Sequence, residues 1–335
     1  MLNSNELRVD DIRDWHLDVP CLDKTAVAFT DKSGAMPLTC SEAPESFRVF
    51  ARRLAIHISE SCGEFIPPKQ DVSATQRIRI ANGSSMVEVD GRRYRITRLR
   101  DGRYSARYSR ELMTLEQTGL NLVHRRLMLN VAPPDSTEGG LVLITGEPGS
   151  RKTTVVAAGL VERMKAHGGF LLTIEDPIEI EMEGWHGKGY CEQIDASSEG
   201  FASAIERALR CFPSGMRGTL FLSEVRNKYA ACEALRAARN GYLVVTTQHA
   251  DSPGGGLQRM VSLARDGGEP DAWMILSQVF RMGLHLSLRG NALSSKALIN
   301  NDTVRGLMLN GQTQHFAAEV EKQQEMLEKR FGVQR

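Results

Sequence analysis

Residues Gly146 to Thr154 read G-E-P-G-S-R-K-T-T, directly after the apolar run Leu141, Val142, Leu143, Ile144 and ahead of a helical pattern. Residues of these types at this spacing bind phosphate. A strand that ends in a glycine-rich turn and opens a helix points several backbone N–H groups at one spot, and the helix dipole adds its own attraction for an anion. The nucleotide-binding loop then comprises Gly146, Glu147, Pro148, Gly149, Ser150, Arg151, Lys152, Thr153 and Thr154. Lys152 is placed to reach the β- and γ-phosphates, and the Thr153 hydroxyl to bind Mg²⁺. Arg151 stands where the G-x-x-x-x-G-K-[ST] pattern has glycine. A side chain fits there if the local backbone is already near helical, since glycine alone takes positive φ freely.

Three later apolar stretches end in polar groups that suit such a loop. Phe170 to Ile174 runs into Glu175-Asp176-Pro177, Thr219 to Leu222 into Ser223-Glu224, and Tyr242 to Thr247 into Gln248-His249. In a doubly wound sheet these termini converge near the phosphate loop. There, carboxylates position Mg²⁺ and an attacking water, and an amide or imidazole senses the γ-phosphate. Each has a plainer alternative: Asp176-Pro177 as a strand breaker, Glu224 as a helix cap or ion-pair partner, His249 as a hydrogen-bonded structural histidine. Their joint placement after successive strands favours the functional alternative.

The elements that must carry these residues follow from the apolar pattern. Thr153 to Ala166 reads as a helix stopped by Gly168-Gly169, Glu199 to Cys211 as a second, and Lys228 to Arg239 as a third, ended by Asn240-Gly241. Short apolar strands alternating with helices imply right-handed crossovers and a parallel sheet covered on both faces. The strand of Thr219 to Leu222 is expected beside the loop strand, which favours Glu224 over Glu175 as general base. Downstream, helices are expected at Pro270 to Gly283, Thr303 to Leu309 and Gln314 to Arg330, with a hairpin from His285 to Ile299. Upstream lie a helix from Glu42 to Cys62, strands near Ser85 to Val89 and Tyr94 to Tyr108 with a turn at Asp101-Gly102, a helical stretch from Thr114 to Leu129, and a loop from Ala132 to Gly140. The boundaries are residues 1–112 for an amino-terminal domain, 113–138 for a linker and 139–335 for the nucleotide-binding domain with a helical carboxyl-terminal part.

Composition sets outer limits. The 335 residues are 41% hydrophobic and 25% charged, ordinary for a globular chain with two domains. A net charge of +1, from 42 basic and 41 acidic residues, supplies no global attraction for nucleic acid or anionic lipid. Cys21, Cys40, Cys62, Cys191, Cys211 and Cys232 form no C-x-x-C pair, so neither a zinc ribbon nor a disulfide framework is expected, and a reducing cytoplasm fits. No apolar run approaches the roughly 20 residues that cross a bilayer, and Met1 to Asp11 lacks the apolar core of a signal peptide. Contact with a membrane is therefore expected through partners.

The order of motifs resembles the type II/IV secretion ATPases, a family that includes pilus-retraction motors and the traffic ATPases of conjugation-like secretion systems. The likeness runs from about Arg92 to Arg330. Leu172-Thr-Ile-Glu-Asp-Pro-Ile-Glu179 is similar to the family's Asp box, and Leu220-Phe-Leu-Ser-Glu-Val-Arg226 to its Walker B segment, with Ser223 where glycine is usual. Ala237 to His249 resembles its His box, with Tyr242 in place of the first histidine, and Thr114 to Leu120 resembles its linker. The resemblance implies an α/β protein with a RecA-like P-loop NTPase core and a smaller PAS-like amino-terminal α/β domain. Glu175 and Glu224 are implied as the acidic pair at Mg²⁺ and water, and His249 as the sensor of the γ-phosphate.

Eight arginines fall between Arg92 and Arg110. In the family, arginines of the amino-terminal domain reach a nucleotide, so the resemblance implies Arg93, Arg95, Arg107 and Arg110 as finger candidates, with Arg226 beside the Walker B acid. A solvated strand face is the alternative, as is a nucleic-acid patch using the interleaved tyrosines. The resemblance implies a P-loop ATPase working on ATP and releasing ADP, a homo-oligomer of hexameric form, and inner-membrane secretion or pilus platform proteins as partners. It further implies a cytoplasmic protein held peripherally at that membrane through partners, while the lack of a long apolar run and the near-neutral charge argue against membrane insertion and nucleic-acid binding. A nucleic-acid-translocating RecA-like motor and a degenerate, non-hydrolysing ring subunit are the competing readings.

Overall fold

The computed structural model describes residues 9, 12–19, 21, 22, 25–31, 34–39, 43–62, 84–100, 103–108, 111–131, 139–196, 201–212 and 218–331. They form two compact units, Met1–Arg110 and Glu111–Arg335. The Asp101-Gly102 turn, Arg110, Cys40 and most of the Ala132 to Gly140 loop lie outside the described residues.

The first unit contains β1 (Ile12–Asp18), β2 (Ala26–Asp31), β3 (Gly34–Thr39), α1 (Glu45–Cys62), β4 (Ser84–Val89), β5 (Arg92–Arg100) and β6 (Arg103–Tyr108). Its strands form one sheet in the order β3-β2-β1-β6-β5-β4, paired antiparallel throughout. Phe47, Phe50, Ala51, Leu54 and Ile58 recur at helical spacing on α1 and pack with Trp15, Tyr94, Ile96 and Tyr104 of the sheet. Alternation along β5 and β6 sends Tyr94, Ile96 and Tyr104 into this core and Arg93, Arg95, Arg103 and Arg107 to the other face, while Arg92 lies over the Phe50 ring of α1. These two tyrosines are packing residues, which removes them from any base-stacking surface.

The second unit contains α2 (Leu122–Asn130), β7 (Gly140–Gly146), α3 (Lys152–His167), β8 (Gly169–Glu175), β9 (Gly184–His186), β10 (Gly189–Asp195), α4 (Phe201–Cys211), β11 (Thr219–Leu222) and α5 (Lys228–Arg239). It continues with β12 (Leu243–Gln248), α6 (Pro253–Asp266), α7 (Ala272–Val279), β13 (Phe280–Arg289), β14 (Ala292–Ile299), α8 (Asp302–Leu309) and α9 (Phe316–Phe331). The sheet order is β14-β13-β7-β12-β11-β8-β10-β9, with the six inner strands parallel and the edge strands β14 and β9 antiparallel to their neighbours. Val142, Ile144, Leu171, Phe221 and Val245 meet α3 on one face. Leu141, Leu143, Leu172, Leu220, Leu222 and Val244 meet α5, α6 and α7 on the other. The parallel sheet between helical layers is the expected α/β architecture.

Three expectations need correction. First, β12 lies between the loop strand β7 and β11, so Glu224 does not follow the strand next to the loop. Every residue of β12 is buried, and its run of Leu243, Val244, Val245 and Thr246 suits a central strand covered on both faces. Second, the helix expected through Gly283 stops at Val279, because Phe280 onward pairs in parallel with β7. Third, the stretch Thr114 to Leu129 is a turn and then a helix: Gly119 takes φ 81°, and Asn121 caps α2 by accepting from the His124 N–H. The sequence pattern assigns no element to β1, β2, β3, α6, β9 or β10.

Candidate functional site

The phosphate loop keeps its shape through backbone conformation. Gly146 and Gly149 take φ 153° and 79°, and Arg151 takes φ 66°, ψ 23°, the left-handed region. A Cβ on Gly146 would sit 2.4 Å from the Leu286 carbonyl oxygen and 2.5 Å from Ser150 Oγ, so only glycine fits there. The near-helical backbone that would admit a side chain without strain is not what Arg151 adopts. An arginine holds the conformation that glycine supplies in the pattern, at a cost of about 1–2 kcal/mol. Its guanidinium turns toward the chain before α2, where Nη1 donates to the Thr118 carbonyl at 3.3 Å.

Lys152, at the start of α3, is almost fully buried and uses all three of its donors. Nζ donates to the Gly146 and Glu147 carbonyls at 2.8 and 2.9 Å and approaches His249 Nδ1 at 3.2 Å. An ammonium can only donate, so His249 accepts at Nδ1 and carries its proton on Nε2. That nitrogen faces Glu224 Oε1 at 3.6 Å, while Glu224 Oε2 accepts from Arg226 Nη2 at 2.9 Å. Burial holds the Lys152 ammonium below its usual pKa, against the opposing pull of Glu224 and Glu179. The hydrogen bond to Glu224 raises that of Arg226. The loop lysine, the end of β12 and the segment after β11 thus meet in one row. Backbone bonds fix the spacing: Ser223 N–H donates to the Ile174 carbonyl at 3.0 Å and Val225 N–H to the Thr247 carbonyl at 3.2 Å, and the Thr247 hydroxyl donates to the Ser223 carbonyl.

Glu175 ends β8 beside this row but has different partners. Its side chain is fully buried, and Oε1 accepts from Thr173 Oγ1 and from Gln193 Nε2, both at 2.9 Å. Burial pushes its pKa up to about 7, and hydrogen bonding from Thr173, Gln193 and the Glu179 backbone opposes that rise. Oε2 is buried with no hydrogen-bond partner. An orphan carboxylate oxygen is what a hard cation or its water shell requires, so Glu175 fits Mg²⁺, and Thr153 is half-buried in the first turn of α3. In Glu224 both oxygens already face Arg226 and His249. Sequence reasoning missed Thr173 and Gln193. Thr173 was legible, since residues two apart on a strand share a face.

Of the arginine candidates of the first unit, Arg93, Arg95 and Arg107 lie on the sheet face opposite α1, and Arg110 lies outside the described residues. Arg107 Nε donates to Asp14 at 2.6 Å and Arg93 Nε reaches Glu88 at 3.5 Å. Arg95 stands directly across from Arg107 in the β5–β6 register. Their charge is therefore partly answered within the unit. No cluster of metal-ligating side chains occurs among the described residues, and no helix among them is long and apolar enough to cross a membrane.

The family model described as type II/IV secretion system protein matches residues 103–282, more than half of the chain. The putative type II secretion system protein E of Escherichia coli is 30% identical over 155 residues, 44% of this chain and 30% of that protein. The type IV pilus retraction ATPase PilT of Pseudomonas aeruginosa is 32% identical over 155 residues, 46% of this chain and 41% of that one. The matched stretches thus span less than half the length of these curated relatives. The crystal structure of the pilus retraction motor PilT with bound ADP superposes with a TM-score of 0.66 at 22% identity, covering 92% of this chain and 84% of that one. The ATPase DotB of Legionella pneumophila gives 0.61 at 18% identity, covering 93% and 83%. Both likenesses are of fold.

Proposed function

The chain belongs to the type II/IV secretion system protein family, and from that premise we propose that it is a ring-forming ATPase whose hydrolysis of ATP drives a secretion or type IV pilus machine at the inner membrane. The observation that carries this reading is the row Lys152–His249–Glu224–Arg226 at the phosphate loop. Lys152 exchanges a loop carbonyl or His249 for the β- and γ-phosphate oxygens. Once His249 is released, its ring reports on the γ-phosphate to Glu224. Glu224 takes the proton of the attacking water as the water oxygen bonds to the γ-phosphorus and the bond to ADP breaks. Arg226, leaving Glu224, and Arg93, Arg95, Arg107 or Arg110 of a neighbouring subunit answer the charge that develops. Thr153 and Glu175 would hold Mg²⁺, with Glu224 close by, and the ion would supply charge neutralisation of the phosphates. Residues 1–112 serve as the amino-terminal domain, 113–138 as the linker and 139–335 as the motor domain of a hexamer in the cytoplasm, attached to the membrane through platform proteins.

Phosphate release by wild type, Lys152→Ala and Glu224→Gln tests this. Both variants are expected to fall at least about 10²-fold. Wild-type release no faster than that of Lys152→Ala defeats the enzymatic reading. The alternative of a nucleotide-binding subunit that does not hydrolyse draws on Arg151 and on the Glu224–Arg226 pair, and the same assay separates it: ADP binding with no phosphate release selects it.

A further inference from the structure

Arg151 is a positive-φ residue without the compensation available to Asn or Asp, whose short side chains bond locally in that region. Its side chain gives α3 no cap hydrogen bond. Instead it reaches across to the Thr118 carbonyl. Thr118 sits in a turn that is anchored to α3 and closed by its own hydrogen bonds. Leu115 N–H donates to Glu162 Oε1 at 2.6 Å on α3, Thr118 Oγ1 donates to the Leu115 carbonyl at 2.7 Å, and Leu120 N–H donates back to Thr118 Oγ1 at 3.2 Å. Beyond it, Asn121 and His124 hold Ser295 of β14 at 3.1 and 2.7 Å. Arg163 Nη1 fixes the far end of α2 by donating to the Leu129 and Val131 carbonyls, both at 2.8 Å.

A strained backbone persists where its surroundings hold it. Here the arm of the strained residue is tied to a turn that is itself fixed to α3 and β14. Lys152 holds the carbonyls of Gly146 and Glu147 in the same loop, so any exchange of those carbonyls for phosphate acts on the backbone that carries the arm. We propose that Arg151 is a positioning residue that couples the phosphate loop to the turn Leu115–Gly119, so that occupancy of the loop by a nucleoside di- or triphosphate and the hold on that turn change together. The proposal deepens the nucleotide-site reading above and rests on it. It gives the departure from the glycine pattern a purpose: glycine would supply the same φ but no arm.

The test uses the full chain with ADP as probe, calorimetric titration for affinity, and hydrogen exchange at the amides of residues 115–124 with and without ADP. In wild type, ADP is expected to alter exchange at these amides severalfold. In Arg151→Gly and Arg151→Ala that difference is expected to vanish, and ADP affinity to fall about three- to tenfold because the loop is less pre-organised. Arg151→Lys, which keeps a donor on a flexible arm, should recover part of both. An ADP-dependent difference that survives in the glycine and alanine variants overturns the proposal. So does an affinity loss with the exchange difference intact, which would place the guanidinium on the phosphates. A wild type that binds no ADP by calorimetry defeats the underlying reading, an outcome the titration reports by itself.

Discussion

Glu175 is a carboxyl group whose charge the fold opposes. With its pKa raised from 4.5 to about 7 by burial, it binds a proton more readily folded than unfolded. The associated stability is present below the unfolded value and is lost as pH climbs toward the folded one, at most on the order of 3 kcal/mol. The urea midpoint of the wild type should therefore drop between pH 5 and pH 8 by clearly more than that of Glu175→Gln, and parallel curves would exonerate Glu175. Arg226 invites a kinetic measurement. Arg226→Ala should lower kcat about 10²-fold or more with a small change in KM if the guanidinium answers charge that exists only in the transition state. Lys152, Glu224 and His249 were legible in the sequence because a loop pattern and two strand ends name them directly. The left-handed φ of Arg151 was not, since residue type argued against it and only surrounding contacts impose it.

Among elements, the helix Pro253–Asp266 shows best why part of the fold stayed hidden. Its first turn, Pro253-Gly254-Gly255-Gly256, has the composition of a loop. Ser252 nevertheless caps it by accepting from the Gly255 N–H, and Pro253 suits the first turn because it needs no donor there. The glycines serve close approach: a Cβ on Gly256 would lie 2.5 Å from Thr145 Cγ2 and 3.0 Å from Leu143 Cδ2, and one on Gly254 2.9 Å from Phe316 Cβ. Gly256→Val is expected to cost about 2 kcal/mol or more, read as a lower denaturant midpoint with unchanged slope. The helix Leu122–Asn130 bears a complementary test. Burial lowers the His124 pKa to about 4, so a stabilising contribution present above pH 6.5 fades as pH falls toward 4. His124→Gln should flatten that acid limb, and an unaltered limb would assign the loss elsewhere. Helices and strands of ordinary composition, such as Lys228–Arg239 and Thr219–Leu222, were readable because periodicity and burial agree.

At the scale of the whole molecule, the sequence made the α/β class readable through alternation, while the order of strands depends on which segment best tolerates burial on both faces. Assembly belongs to this scale as well. Light scattering with and without ADP should report a species near six times the chain mass, and a monomer under both conditions counts against the ring. The position of Leu243–Gln248 between the loop strand and Thr219–Leu222 has a further consequence. Alternate side chains of a strand face opposite ways, which sets His249 toward Lys152 and leaves Gln248 under the helix Pro253–Asp266. A single inserted residue before Gln248 would move its amide into the row and carry His249 one position past it. The middle strand thus works as a keyed shaft: length changes are tolerable at the rims of this sheet and ruinous at its axle.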